Sequence, residues 1–479
     1  MTARPKALFG ILLAALLVRL ALWLWFEGVE PRIYDERDYD SIAVSLAERG
    51  EFALRGGATS ARPPLYPALV SVVYRVAGVR DYQAVRLLQI LLNLALVPVV
   101  FALGRRLYDE RTGWIAAGLT AFYPSLWGHD YLLLTEVLFT LLLCGGALAL
   151  VEFSTAKEPR RRTLVAAGIL LGLAALTRSS LFLYPPLLAV AVFALWRESP
   201  RRRMAAVVLF VAAFGIVVAP WIARNSRLHG RLSAIDSYST ATAARHSPLR
   251  VPSAEQRPRS IEPPAPSETV SGGGAGRGDE AGPRSRGAGA ARQARWDSWP
   301  GPARWTAMIV HNGLAFWQID REITGAASRG WLGPIPRPAV LALAAVLAGY
   351  YVVLLLGGLF GLVLRPPGNR LAFGLVVSIV VALWGVHALT FGHSRYHLPL
   401  MPLVAVFAAQ LLVTRREPLP RRRLVAAAVA ASILVVSWIG NFVREDAPDL
   451  ERRLWSRAAS DRAGSSTERA RPTGGGGGR

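Results

Sequence analysis

Long apolar runs dominate this chain, and arginines punctuate them. Ala7–Phe26 is apolar apart from Arg19. Further runs occupy roughly 84–104, 113–128, 131–153, 163–177, 180–196, 204–222, 338–364, 371–391, 398–414 and 424–442. A helix needs about 20 apolar residues to cross the hydrocarbon core of a bilayer. The pattern therefore predicts an all-α polytopic membrane protein with about eleven crossings. The runs at 163–177 and 180–196 are short for that task. Ala7–Phe26 exceeds a signal-peptide h-region, and no A-x-A site follows before Glu30, so it is read as a span.

Arginine clusters give the runs a direction. They fall at Arg105/Arg106/Arg111, Lys157–Arg162, Arg197–Arg203, Arg365–Arg370 and Arg415–Arg423, between alternate runs. Positive residues are retained on the cytoplasmic side. The N-terminus, with Arg4 and Lys6, lies on that side, so 27–83, 223–337 and the tail after 442 face outward. The 223–337 segment also holds many arginines, but long loops escape the rule. Residues 246–295 are rich in Gly, Pro, Ser, Ala and Arg, a composition expected to be disordered. The chain thus divides into a transmembrane part over 1–245 with its first outward loop at 27–83, the 246–295 insertion, an interfacial and transmembrane part over 296–442, and a flexible tail over 443–479. Trp296, Trp299, Trp305, Trp317 and Trp331 follow the insertion, and the amphipathic pattern around Trp305–Trp317 predicts an interfacial helix.

Composition agrees with a membrane protein. Of 479 residues, 52% are hydrophobic and 18% charged, and mean hydropathy is +0.33, where soluble domains carry about 25% charged residues. Cys144 is the one cysteine, which rules out an internal disulfide framework and a multi-Cys zinc site. Net charge is +23, and Lys6 and Lys157 are the only lysines. Such a charge could point to nucleic acid, but in a polytopic protein the positive-inside bias explains it more simply. No nucleic-acid partner is expected.

The first outward loop departs from this background. Tyr34-Asp35-Glu36-Arg37-Asp38-Tyr39-Asp40 puts four carboxylates into six residues directly after the first span. They either supply a catalytic base at the membrane surface or form a solvated loop, with Asp38 or Asp40 capping a helix over Ser41–Arg49. Next comes Arg62-Pro63-Pro64-Leu65-Tyr66-Pro67, in which prolines stiffen the chain after Arg62. Arg62 is placed to meet a lipid-linked phosphate at headgroup depth, or simply snorkels there. Leu65–Val79 lies on or dips into the bilayer. Glu136, in or near an apolar run and beside His129-Asp130, is a functional candidate by its location, or a structural partner for an arginine. His393 and His397 have a spacing that could suggest zinc. No Glu lies between them and Pro399 disfavours a regular helix before it, so no metal is assigned.

Asp35-Glu36-x-x-Tyr39 after the first span, followed by Arg62-Pro63-Pro64-Leu65-Tyr66-Pro67, resembles the membrane glycosyltransferases of the GT-C fold. The nearest group is the protein O-mannosyltransferase and aminoarabinose-transferase-like family. Thr135-Glu136, Leu176-Thr177-Arg178, Pro220-Trp221-Ile222-Ala223-Arg224-Asn225 and His393-Ser394-Arg395-Tyr396-His397-Leu398-Pro399 agree in order and sidedness. The resemblance covers roughly 1–245 and 300–442. The chain departs from the family in having Arg62 where a Lys is common, a tail where several members have a folded C-terminal domain, and the 246–295 insertion in place of outer-loop sequence.

The resemblance implies a GT-C-like bundle with interfacial helices in the first outward loop, in the cytoplasmic (inner) membrane, with its active site facing outward. It implies a polyprenyl-phosphate sugar as donor and a lipid, glycan or protein hydroxyl as acceptor, with inversion at the anomeric carbon. A carboxylate must take the acceptor proton, and cations must stabilise charge on the departing phosphate. Asp35 is then the base and Glu36 its support. Arg62, Arg178, Arg224 and Arg395, near outward span ends, clamp the phosphate with guanidinium forks. Glu136, Tyr39 and Tyr396 serve the acceptor or support the clamps. No cofactor is expected, although some GT-C enzymes hold a divalent cation. Two other readings remain: a transporter or flippase of a lipid-linked sugar, with charges lining several spans, and a basic scaffold for anionic lipid or polymer.

Overall fold

A computed structural model describes residues 4–156, 160–233, 236–237, 301–413 and 420–446. The 246–295 insertion, Trp296, Trp299, Lys157, Arg415 and the tail beyond 446 lie outside the described residues. Helices joined by short turns and loops, with one small hairpin, make up the described residues. Among the described residues, eight helices are long and apolar enough to cross a membrane, beginning with Leu8–Trp25 in α1 (Arg4–Trp25). The others correspond to α4 (Tyr82–Leu107), α7 (Glu136–Thr155), α10 (Pro200–His229), α13 (Arg337–Leu364), α14 (Arg370–Leu389), the Ser394–Val413 segment ending in α15 (Met401–Val413), and α16 (Arg421–Asn441) with its terminal turn.

Shorter helices occupy the remaining three expected crossings. Residues 113–128 split into α5 (Glu110–Ala121) and α6 (Pro124–His129), because Pro124 cannot continue the first helix. Residues 163–177 form α8 (Arg161–Thr177), which packs between α7 and α10. Residues 180–196 give a short 3₁₀ turn and α9 (Tyr184–Leu195), whose start carries Pro185 and Pro186. Small residues let the helices approach closely. A Cβ at Gly104 would meet the Gly113 backbone at 2.8 Å, and one at Gly361 of α13 would collide with the Phe407 carbonyl of α15.

The arginine-rich turns gather at one end of the bundle. Arg106 pairs with Glu152 at 3.2 Å, Tyr108 Oη donates to the Arg365 carbonyl and Asn369 Nδ2 to the Ser154 carbonyl. The opposite end carries α2 (Tyr34–Arg49) and α3 (Leu65–Ala77), packed on each other. Between them is a hairpin, Ala53–Leu54 against Gly57–Ala58, with Ala53 opposite Ala58. Its turn residues Arg55 and Gly56 both take positive φ, 53° and 82°, as a tight primed turn requires. The expected helix start at Ser41 is corrected here: α2 begins at Tyr34. Asp38 and Asp40 are therefore interior helix positions and not caps. Glu36 does the capping, accepting the Arg32 and Ile33 N–H groups at 3.0 and 2.9 Å. At the other end of α2, Gly50 closes the helix in the left-handed region, and Arg75 of α3 donates to the Leu46 and Ala47 carbonyls.

The Trp-rich stretch forms α11 (Gly301–Phe316), then α12 (Glu322–Ser328). One face of α11 docks on α14, through Asn312 Nδ2 to the Ala388 and Thr390 carbonyls and Trp384 Nε1 to the Gly313 carbonyl. Val310, on a face turned away from Asn312, is exposed, and so is Trp305 nearer the start of the helix.

Candidate active site

Asp35 stands in the first turn of α2, where the helix dipole favours an anion. Its Oδ1 accepts a hydrogen bond from Arg62 Nη2 at 2.7 Å, and its Oδ2 one from Arg395 Nη2 at 2.5 Å. Arg62 just precedes the two prolines that lead into α3. Its Nε and Nη2 both reach Asp38 Oδ2, at 3.1 and 2.8 Å, and its guanidinium lies 5.3 Å from the Tyr39 ring centre. Tyr66 meets Tyr39 edge to face and donates to Gln89 Oε1, so the platform under Arg62 is anchored to α4.

Arg395 belongs to the 3₁₀ turn Ser394–Leu400. Its Nε lies 3.1 Å from Glu136 Oε1. Glu136 opens α7, and the same oxygen accepts from Arg178 Nη1 at 2.7 Å, while Arg178 Nη1 also reaches Thr135 Oγ1 at 3.2 Å. The Arg178 guanidinium lies over Tyr396, 4.9 Å from the ring centre. Acids and arginines thus alternate in one buried chain: Asp38, Arg62, Asp35, Arg395, Glu136, Arg178. Burial alone would push the Asp35 carboxyl up, but the neighbouring Arg395 and Arg62 outweigh it and hold it down at about 2.

Two sequence candidates sit differently. Glu36 points away from this chain. Its carboxylate is buried on three backbone N–H groups, those of Arg32, Ile33 and Leu133. Burial pushes it up and those donors pull it back, so it braces the first loop against residues 130–135. Arg224, at the end of α10, donates to the Thr59 carbonyl at 2.6 Å and the Phe52 carbonyl at 3.2 Å and stacks on Trp221. It fastens the strand leading to Arg62 and makes no contact within the charge chain. The two histidines also diverge: His393 accepts from the Arg395 N–H, and His397 is buried with Nδ1 on the Phe316 carbonyl.

Other residues that matter escape the sequence reading. Asp38 holds Arg62. Gln83, Arg86, Gln89 and Asn93 form a polar stripe on α4, and Arg86 donates to the carbonyls of Phe26, Val29 and Tyr131. Their spacing of three to four residues within an apolar run was the available signal.

Residues 61–223 match the profile of the dolichyl-phosphate-mannose-protein mannosyltransferase family. No curated protein matches the chain by sequence. Among solved structures, ArnT from Cupriavidus metallidurans bound to undecaprenyl phosphate is similar, with a TM-score of 0.53 and 15% identity over 88% of this chain and 64% of that one. The archaeal oligosaccharyltransferase AglB from Archaeoglobus fulgidus, in complex with an inhibitory peptide and a dolichol-phosphate, gives a TM-score of 0.50 and 14% identity over 92% of this chain and 56% of that one. The chain therefore spans less than two thirds of the length of either. At such identities these structures share its fold, while the family match falls on the segment that runs from Ala61 into α10. The chain is a polytopic helical membrane protein that shares the fold of these GT-C structures, and its residues 61–223 match the mannosyltransferase family.

Proposed function

We propose that this protein is a glycosyltransferase that moves a sugar from a polyprenyl-phosphate donor to an acceptor hydroxyl, at the outward face of the cytoplasmic membrane. The observation that carries this reading is Asp35 held between two arginines at the end of the bundle opposite the arginine-rich turns. Asp35 takes the acceptor proton as the acceptor oxygen attacks the anomeric carbon. The bond from that carbon to the phosphate oxygen breaks, and its electrons leave with the lipid phosphate. One displacement inverts the anomeric centre. Arg62, Arg395 and Arg178 receive the phosphate, because guanidinium forks match its oxygens bidentately. Phosphate competes with Asp35 for Arg62 and Arg395, so donor binding frees the carboxylate to act as base. The same guanidiniums supply the positive charge at the leaving group, and no metal step is invoked.

Transfer from a radiolabelled polyprenyl-phosphate sugar, in membranes with matched protein levels, tests the reading. Asp35→Asn should lower transfer by about 10²-fold or more while donor binding persists. Near-normal transfer by that variant would reject Asp35 as the base. The transporter reading asks for charges along a path through the spans. Arg19, the one charge in the first span, is instead sealed against Asp130 at 2.9 Å with both side chains fully buried.

A further inference from the structure

Beside the charge chain lies a second polar group, which the mechanism above leaves unused. It comprises Tyr123 before α6, His129 at the end of α6, Asp320 before α12 and His397 in the 3₁₀ turn before α15. All four are at least nine-tenths buried. Each keeps one side-chain polar atom with no hydrogen-bond partner among the described residues: Tyr123 Oη, His129 Nε2, Asp320 Oδ2 and His397 Nε2. Glu136 adds a fifth such atom, Oε2, while its Oε1 serves Arg178 and Arg395. These groups are electrostatic neighbours. The field of His129 reaches Glu136, those of Asp320 and His129 reach His397, and that of Asp320 reaches Tyr123. Packing holds α6 against α12, since a Cβ at Gly128 would meet the Ile323 side chain. The Tyr351 ring stacks on His397 at 4.6 Å between centres and gives the region an aromatic wall.

The hydrogen-bond polarity of the group is fixed. His129 Nδ1 lies 2.8 Å from the Ser125 carbonyl, and His397 Nδ1 lies 2.8 Å from the Phe316 carbonyl. A carbonyl can only accept, so each Nδ1 carries a proton, and with the ring neutral each Nε2 presents a lone pair. Asp320 Oδ1 already accepts the Glu322 N–H at 3.0 Å, leaving Oδ2 as a further acceptor. Four of the five atoms therefore accept, and the Tyr123 hydroxyl alone can donate. Buried acceptors without donors cost about 1–3 kcal/mol each, so the region calls for a ligand that brings several donors and no negative charge.

We propose that Tyr123, His129, Asp320 and His397, with the free oxygen of Glu136, form the pocket for the donor's glycosyl group, and that it selects a hydroxyl-rich ring without a carboxylate. This rests on the donor reading above, in which Arg395 and Arg178 hold the phosphate. Glu136 then spans both parts, with one oxygen on the phosphate clamps and one on the sugar. The Nε2 atoms and Asp320 Oδ2 accept from ring hydroxyls, and a uronate is rejected because its carboxylate would face acceptors and an acid.

The test measures binding to the purified full-length protein in nanodiscs, with three probes: a short-chain polyprenyl phosphate, the same lipid phosphate carrying mannose, and the same carrying glucuronate. The wild type should bind the mannosyl lipid about tenfold more tightly than the bare lipid phosphate, and the glucuronyl lipid no better than the bare one. Asp320→Asn retains the oxygen that caps Glu322. His129→Asn and His397→Asn retain a donor near the Nδ1 position and delete Nε2. Each should lose most of the mannosyl preference, with bare-lipid affinity unchanged and the variant still unfolding in a single cooperative transition. Arg395→Ala should weaken all three probes. If the wild type binds mannosyl and bare lipid phosphate equally, or prefers the glucuronyl lipid, the pocket proposal falls while the phosphate clamp stands. Folded variants that keep the full preference also overturn it, and leave the region a site for interior water only. If the bare lipid phosphate does not bind at all, the donor reading fails and the pocket proposal falls with it.

Discussion

Asp35 shows how position decides the chemistry of a single carboxyl. Its folded value of about 2 lies below the ordinary 3.8. A depressed carboxyl contributes stability above its unfolded value and loses it as pH falls through the folded one. The Asp35 contribution should therefore be intact above about pH 4 and decline only between about 4 and 2. The kcat/KM profile for transfer should likewise show no acid limb from this group above about pH 4, because kcat/KM reports the free enzyme. A limb near pH 6 assigned to Asp35 would mean the arginines do not hold it in the free protein. Asp38 separates two readings of the acidic cluster. As a helix cap it would tolerate Asn; as the anchor of Arg62 Nε and Nη2 it should not. Asp38→Asn is expected to cost about tenfold in transfer, with weaker donor binding, since it removes a charge-assisted pair. Asp40→Asn should be milder, because Asp40 serves Tyr74 and Arg80. The sequence shows that acids and Arg62 adjoin the membrane. Which acid faces which arginine depends on a helix that starts at Tyr34 and not at Ser41, and the Asp-rich tyrosine-containing run resembles a loop by propensity. Tertiary packing on α3 overrides that propensity.

At the scale of elements, α4 organises the end of the bundle that carries Asp35. Trp23 and Gln83 exchange hydrogen bonds between α1 and α4. Arg86 gathers residues 26–29 with Tyr131, Gln89 Nε2 donates to the carbonyls of Asp130 and Leu132 at 2.9 Å, and Asn93 Nδ2 reaches Asp130 Oδ1 at 2.7 Å. Backbone that turns at membrane depth needs such partners, since little water is there to supply them. Asp130 in turn neutralises Arg19 of α1. Asp130→Ala should cost about 3–5 kcal/mol, because it leaves a guanidinium buried without its partner. Thermal unfolding in detergent would read the loss, and the double change Arg19→Leu with Asp130→Leu should recover much of it. An unchanged midpoint for Asp130→Ala would show that Arg19 finds water or another acceptor. Apolar run length made the eight long helices legible in the sequence. The splitting of 113–128 was not, since the dip at Tyr123-Pro124-Ser125 is too brief to end an apolar run. The α4 stripe was missed for a different reason: four polar residues barely lower the mean of a 26-residue helix.

For the whole molecule, the order of motifs along the chain already implies that distant segments meet. Asp35, Glu136, Arg178 and Arg395 are spread over most of the sequence, yet all lie at span ends of one sidedness, and the bundle joins them through direct ion pairs. Sidedness could be read because charge obeys the membrane. Contacts could not, because apolar helices of similar hydropathy carry little record of which neighbour they choose. The orientation itself is open to direct test. Ala58 in the hairpin is exposed at the end that carries Asp35, and Gly368 is exposed in the turn beside Arg365 and Asn369 at the other. Neither position is charged, and a Cβ at Gly368 meets nothing within 4 Å, so cysteine there should leave fold and charge bias intact. The native thiol, Cys144, is buried in α7 and contributes little background. A membrane-impermeant maleimide applied to intact cells should label Ala58→Cys at once and Gly368→Cys only after permeabilisation. The reverse pattern would invert the topology. It would place Asp35, the three guanidiniums and the acceptor on the cytoplasmic side, and the arginine-rich turns outside against the positive-inside bias. Equal labelling of both from outside would mean a mixed orientation, in which the arginine clusters do not set the insertion of this chain.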